Sequence, residues 1–358
     1  MKKLLLCLPL ITVLYADDYS FDMDEIEVKS YQYSGYLKAE HKKQNLKNDT
    51  SRDALFGEAF LDFDYFKDNF TLSSQTSASM NNIDGTKQTN LILNELYGEY
   101  KYTSNHSWTL GKHSLKWGKG YFFNPVAFLD RKKDVNDPES SREGYILGKY
   151  TFNKVYQGAV QNFALDLVVM PTSFHTNDDF YNQSSTNVAL KTYFLVNDID
   201  IDFIYVHNNQ LQDRWGVDFS ANLQTNIEIH GEFAKQKHGE KSALLGLKYL
   251  TTNDLTITSE LFYQSEQLDQ TQSFWDNKYF MNKFSQKEPL GIVYCSAYYK
   301  NSLNLKDHSY SNTLGVNYGF KNNIDLDLSY NFTHGDNQSE FGSKMVEDFL
   351  WTQLSWHF

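Results

Sequence analysis

Cysteine, proline and long apolar runs are all scarce in this 358-residue chain, and each scarcity removes a class of protein. The two cysteines are Cys7, inside the first apolar stretch, and Cys295, so neither a disulfide framework nor a Cys-based metal site is available. Of the five prolines, Pro125, Pro138, Pro171 and Pro289 are expected between strands, where a missing N–H breaks no ladder. After residue 16 nothing approaches the roughly 20 apolar residues of a membrane helix, and mean hydropathy is −0.57. No Gly-x-Ser-x-Gly elbow, His-Glu-x-x-His pair or phosphate-binding glycine loop occurs. Basic residues are outnumbered, 33 against 45, and the formal charge of −12 argues against nucleic acid as a partner. Neither a cofactor nor a metal is expected.

What the chain has in quantity is aromatic residues, 25 Tyr and 26 Phe, set in strict two-residue alternation. Ile324, Leu326, Leu328, Tyr330 and Phe332 alternate with Asp325, Asp327, Ser329, Asn331 and Thr333. Leu61, Phe63 and Tyr65 oppose Asp62 and Asp64, and Phe203 and Tyr205 share a phase with Ile199 and Ile201 against Asp198, Asp200 and Asp202. Successive strand side chains point to opposite faces, so each segment has one apolar and one polar face. A soluble sandwich also alternates, but it must bury its apolar faces against each other and connect them with Greek-key crossings. A long series of similar hairpins favours a closed, antiparallel, up-and-down transmembrane β-barrel, apolar outside and polar within.

Segments at 31–41, 52–65, 68–79, 92–103, 106–116, 145–153, 162–170, 186–196, 198–207, 213–222, 225–236, 242–251, 254–266, 290–300, 312–320, 324–334 and 348–358 carry the pattern. A single-chain barrel needs an even number. One further strand between 267 and 289, near Ser273 to Asn282, gives the expected 18, with 16 as the alternative. The barrel is thus assigned to 31–358.

The two ends agree with this class. Lys2 and Lys3, the apolar run Leu4 to Tyr15 and small Ala16 read as a signal peptide over 1–16. Its removal takes away both lysines and moves the formal charge from −12 to −14. In the last segment Leu350, Leu354, Trp356 and Phe358 share a face, and the chain stops on the aromatic. This terminus resembles the assembly signal of Gram-negative outer-membrane barrels of the porin-like type. The resemblance implies an outer-membrane location, with lipids and the barrel assembly machinery as partners and Trp356 and Phe358 as the signal. Residues 17–30 read as a periplasmic or lumenal segment. Within it, Asp22 to Val28 is similar to the short box that opens TonB-dependent transporters, but a strand starting near Tyr31 leaves no room for their plug.

One stretch breaks the alternation, from Trp117-Gly118-Lys119-Gly120-Tyr121-Phe122-Phe123-Asn124-Pro125 through Asp137-Pro138-Glu139 to Arg142-Glu143-Gly144. It resembles a segment of uncharacterised porin-like proteins. A loop of this length with aromatic anchors is functional more often than loose. Two placements fit equally: a cap over the mouth, or an eyelet folded into the lumen, with Lys119, Arg131, Lys132, Lys133 and Arg142 facing Asp134, Glu139 and Glu143 across or beside the narrowest part of the pore. By phase, Asp62, Asp64, Glu95, Glu99, Asp166, Asp198, Asp200, Asp202, Asp218, Glu228, Glu232, Glu260, Asp325 and Asp327 line the lumen. An acidic wall would give a modest preference for cations. The expected function is passive diffusion of small hydrophilic solutes or ions. The other readings are a barrel enzyme acting on lipid or surface polymer, and a structural or adhesive barrel. The oligomeric state is left open.

Overall fold

The computed structural model describes residues 29–133, 143–237, 239–265 and 278–358. The expected signal peptide, the box at 22–28 and the charged residues Asp134, Glu139 and Arg142 lie outside them. Among the described residues, 18 strands form one closed antiparallel sheet. In chain order they are β1 Tyr31–Leu46, β2 Ser51–Lys67, β3 Phe70–Ile83, β4 Thr86–Thr103, β5 His106–His113 and β6 Tyr145–Val155. Next come β7 Val160–Thr172, β8 Ser185–Val196, β9 Ile199–Asn208, β10 Arg214–Gln224, β11 Ile227–Gln236 and β12 Lys241–Leu250. Finally β13 is Leu255–Gln264, β14 Lys278–Lys287, β15 Cys295–Asn304, β16 Tyr310–Phe320, β17 Ile324–His334 and β18 Val346–His357. Every strand pairs with its sequence neighbours, and β18 closes the wall by pairing with β1 from Tyr36↔His357 upward. Closure satisfies every strand's backbone within the wall, which a bilayer demands of any sheet that crosses it.

The two rims differ. At the rim holding Gly35 and Phe358, which exchange backbone hydrogen bonds of 3.0 Å each way, the connections are mostly tight. Asn197 and Asp198, with φ of 49° and 64°, make a two-residue turn whose left-handed backbone suits the twist of a hairpin. At the opposite rim most connections are longer, the two-residue Asp84–Gly85 turn between β3 and β4 excepted, and the longest runs from 114 to 144.

The apolar phases face outward as expected, with Leu61, Leu91, Leu110, Phe203, Leu245, Leu314, Leu328, Leu350 and Leu354 all exposed. Tyr31, Tyr33, Tyr65, Phe66, Tyr100, Phe320, Trp356 and Phe358 add exposed rings toward the tight-turn rim, where amphipathic aromatics favour a membrane interface.

The added strand is present as β14, described from Lys278 to Lys287, with Ser273 outside the described residues. Three local expectations change. Glu288, Leu290 and Tyr294 hold positive φ around a short 3-10 turn at Pro289–Gly291, so the next strand starts at Cys295 and not at 290. Asp198 belongs to a rim turn, exposed and bonded to Gln161, and not to the inner wall. Pro171 lies inside β7, opposite Thr186. Its other side is past the last pairing with β6, and there the Asn177 amide donates to the carbonyls of Pro171 and Ile146 at 2.7 and 2.8 Å while accepting from Ile146 N–H. A side chain replaces the rung that proline cannot form.

Candidate functional site: the infolded loop

The segment after β5 turns into the barrel rather than over it. Trp117, Val126, Phe128 and Leu129 are buried against inward-facing Leu147, Val168, Met170, Ala189, Ile204, Val206 and Ala234 of β6 to β9 and β11. Phe122 and Phe123 are buried against Leu244, Phe262, Tyr279 and Met281 of β12 to β14, with Phe123 stacked on Phe262 at 4.4 Å. The inner wall is therefore polar near the tight-turn rim and apolar where the loop lies. An apolar lining on a nominally wet face makes sense only if something dry covers it.

Carboxylates fix the loop's backbone at three points. Asp130 accepts from Ser114 Oγ and from the N–H groups of Lys116 and Trp117, all at 3.0 Å, which closes the loop on its own start. Glu232 of β11 accepts from Lys119 N–H and Gly120 N–H at 2.7 Å through Oε1, and from Val126 N–H at 3.1 Å through Oε2. Glu260 of β13 accepts from Tyr121, from Phe122 at 3.0 Å and from Phe123 at 3.4 Å. Runs of N–H groups pointing one way make an anion-binding concavity, and here the anions belong to the wall. Gly118 permits this approach: its φ is +98°, and a Cβ there would sit 2.8 Å from Glu232 Oε1. Sequence phase had placed Glu232 and Glu260 on an acidic pore wall. They do face inward, but the loop covers them and they are almost fully buried.

Among the described residues, Lys119, Arg131, Lys133 and Glu143 also have local partners. Lys119 Nζ lies 3.2 Å from Asp202, which Lys191 approaches at 3.4 Å; Asp218 stands directly across the ladder from Asp202 and is buried with it. Burial works against the Lys119 charge, but Asp202, Asp218 and Asp200 outweigh it and hold its ammonium above the ordinary lysine range. Arg131 pairs with Glu143 at 3.2 Å and with Asp179, and lies over the Tyr145 ring at 4.8 Å; Glu143 also takes Lys112. Lys133 donates to the carbonyls of Gly120 and Tyr121. Arg131 and Glu143 thus form a tie at the base of the loop.

The remaining predicted acids are dispersed. Asp62 takes Gln75 at 3.2 Å and Asp64 takes Ser73 at 2.5 Å. Glu95 is buried, accepting from Ser114 N–H at 2.6 Å beside His113 at 3.3 Å. The β4 bulge opposite Gln75/Thr76 turns both Asn94 and Glu95 inward. Asp166 takes Thr151 at 2.6 Å, Asp200 takes Tyr193, Glu228 takes Tyr121 at 3.0 Å, and Asp327 takes Tyr298 at 3.0 Å. Glu99 lies 4.0 Å from Lys101, and Asp325 lies at the rim, 3.4 Å from His357.

On the long-loop side of the eyelet is a cavity of about 450 Å³. Arg131, Lys132, Lys133 and Arg214 contribute charge to its lining, against Asp130, Asp179 and Glu240, with rings from Phe128, Tyr145, Phe180 and Phe262, whereas Lys235 and Lys241 border it from the outward phase, the Lys235 ammonium lying 5.9 Å from the Trp215 ring. Arg214, unremarked in the sequence, is held between Phe128 and Phe180 at 5.4 and 5.6 Å and donates to Phe128 carbonyl at 3.3 Å. Its only signal was an arginine at a strand's first residue.

No family model matches the chain, and no curated protein matches it. Solved structures do match. Pseudomonas aeruginosa OccK5, an outer-membrane porin, superposes with a TM-score of 0.59 at 10% identity, over 92% of this chain and 97% of that one. Pseudomonas aeruginosa OccK2 in complex with glucuronate gives 0.59 at 8% identity, over 92% and 96%. A mutant of the Rh. blastica porin gives 0.50 at 9% identity, over 92% and 100%. At such identities the likeness is one of fold: the chain has the closed barrel of these porins over nearly its whole length.

Proposed function

We propose that this protein is an outer-membrane channel for passive diffusion of small hydrophilic solutes, with the infolded loop from 114 to 133 as its constriction. The observation that carries the reading is the loop itself, tied to the inner wall by Glu232 and Glu260 and packed against an apolar lining at membrane depth. A purely structural barrel gains nothing from narrowing its own lumen in this way. The exposed apolar band and the rings near the tight-turn rim suit a bilayer, with that rim on the periplasmic side.

The cavity above the loop bears on the solute. Cations outnumber carboxylates among its lining residues, and aromatic rings flank them. Guanidinium and ammonium groups recognise carboxylates, and rings suit the faces of sugars. The neighbour captured with glucuronate supports a small acidic sugar or organic acid as the solute class. The acids expected to favour cations are in good part occupied by loop N–H groups and lysines, so their field in the passage is weaker than their number suggests. Refolded protein in planar bilayers tests the channel reading: discrete conductance steps are expected, and removing residues 127 to 141 should enlarge them. Absence of steps from protein that migrates as a folded barrel would refute it. Liposome swelling faster with glucuronate than with glucose tests the solute class.

A further inference from the structure

His230, Gly246 and Glu260 stand side by side across β11, β12 and β13, each directly opposite the next in the ladder. His230 and Glu260 have no solvent exposure. Gly246 leaves the only space through which the imidazole can cross the middle strand, since a Cβ there would overlap His230 Nε2. Over that gap Nε2 comes within 3.0 Å of Glu260 Oε1, while Nδ1 lies 3.4 Å from Glu228. The Tyr121 ring meets the imidazole edge-on at 5.1 Å, and its hydroxyl donates to Glu228 at 3.0 Å. Glu260 then presents Oε1 to Tyr121 N–H and Oε2 to those of Phe122 and Phe123.

We propose that Glu260 is a positioning residue that fixes where the infolded loop stops, and that His230, seated over Gly246, holds its carboxylate in the orientation the three loop amides need. A Glu side chain has freely rotating terminal bonds, and serving three N–H groups requires both oxygens to be aimed. Nothing on β13 itself aims them. The ring does so from two strands away, which is why the intervening residue lacks a side chain. The inference deepens the channel reading, because the loop's stopping point is then the aperture.

The test separates the two claims. A spin label at Lys132, introduced as Lys132→Cys with Cys295→Ala, reports loop position whether or not the pore conducts. Glu260→Gln removes one acceptor oxygen. Gly246→Ala displaces the imidazole without touching the loop, and His230→Gln keeps a donor within reach of Glu260. A new mobile component in the label spectrum is expected for Glu260→Gln and Gly246→Ala, smaller for His230→Gln, with larger and noisier conductance in the first two. An unchanged spectrum in folded Glu260→Gln and Gly246→Ala overturns the inference whatever the conductance does. A loosened label with unchanged conductance supports the anchor and instead defeats the constriction reading.

Discussion

Replacing Glu232 by Gln perturbs the loop with almost no change of volume, so its consequences can be worked from the hydrogen bonds alone. The carboxylate serves Lys119 and Gly120 with one oxygen and Val126 with the other. An amide has one acceptor oxygen and two donors. Its better orientation keeps the first pair and turns an NH₂ against the Val126 N–H. Losing charge assistance costs about 1 kcal/mol on each retained bond, and an orphaned buried N–H costs about 1–3 kcal/mol. The total is roughly 3–5 kcal/mol, toward the lower end because a neutral amide is easier to bury. Against it stands the burial of Trp117, Phe122, Phe123, Val126 and Leu129, at about 1.5–3 kcal/mol each, or roughly 8–15 kcal/mol in all. Burial wins. The loop should stay inside the barrel while the turn from Lys119 to Val126 loosens. Single-channel recording should show a barrel that assembles and shifts normally on heating, with larger mean current and added low-frequency noise. Current and noise identical to wild type would show that Glu232 does not hold the loop.

Gly118→Ala should behave similarly for a different reason, since a side chain at φ +98° is strained by about 1–3 kcal/mol and its Cβ pushes Glu232 away; equal loop protection from protease in mutant and wild type would contradict this. Trp356→Asp combined with Phe358→Asp should prevent outer-membrane assembly by removing the aromatic face that resembles an assembly signal, since a carboxylate on the lipid-facing phase costs no more than about 1 kcal/mol so near the rim; normal membrane levels of the double mutant would rule it out. The loop at 335–345 docks on Asp307, whose carboxyl accepts from Ser309 and Glu340 N–H at 2.8 and 2.7 Å. Burial pushes Asp307 upward, but these donors outweigh it and hold it below the usual carboxylate range, whereas burial prevails at Glu340 and holds it above. Acidification should therefore first tighten the docking as Glu340 protonates, then loosen it below about pH 4 as Asp307 loses the advantage it has over its unfolded value. Hydrogen exchange across 335–345 that rises steadily from neutral pH downward would contradict that order.

Much of the wall was legible because a transmembrane strand is a local object. Each outward residue meets lipid whatever its neighbours are, so Phe203 and Tyr205, or Leu326 and Leu328, declare their face through alternation alone. The parity of a closed wall then required a strand where the pattern was weakest, and β14 is there. The misplaced details were ones that alternation does not encode. Pro171 is accommodated by an amide from six residues on, and the start of β15 is delayed by backbone angles rather than by polarity.

The loop's destination was of a different kind. Its glycines and rings were visible, but cap and eyelet remained equal because the choice depends on a surface it meets only after the barrel closes. A trace of that surface was present. Val168 and Met170 share the phase of Asp166, and Ile204 and Val206 share that of Asp202, so the polar face turns apolar partway along each strand. Sequence by itself determined a closed antiparallel barrel with a lipid-facing apolar phase, since period and parity are properties of the chain. Only the tertiary structure decided that Glu232 and Glu260 serve the loop instead of the passing solute, because a carboxylate's partner here lies more than a hundred residues away and no pattern in the chain records it.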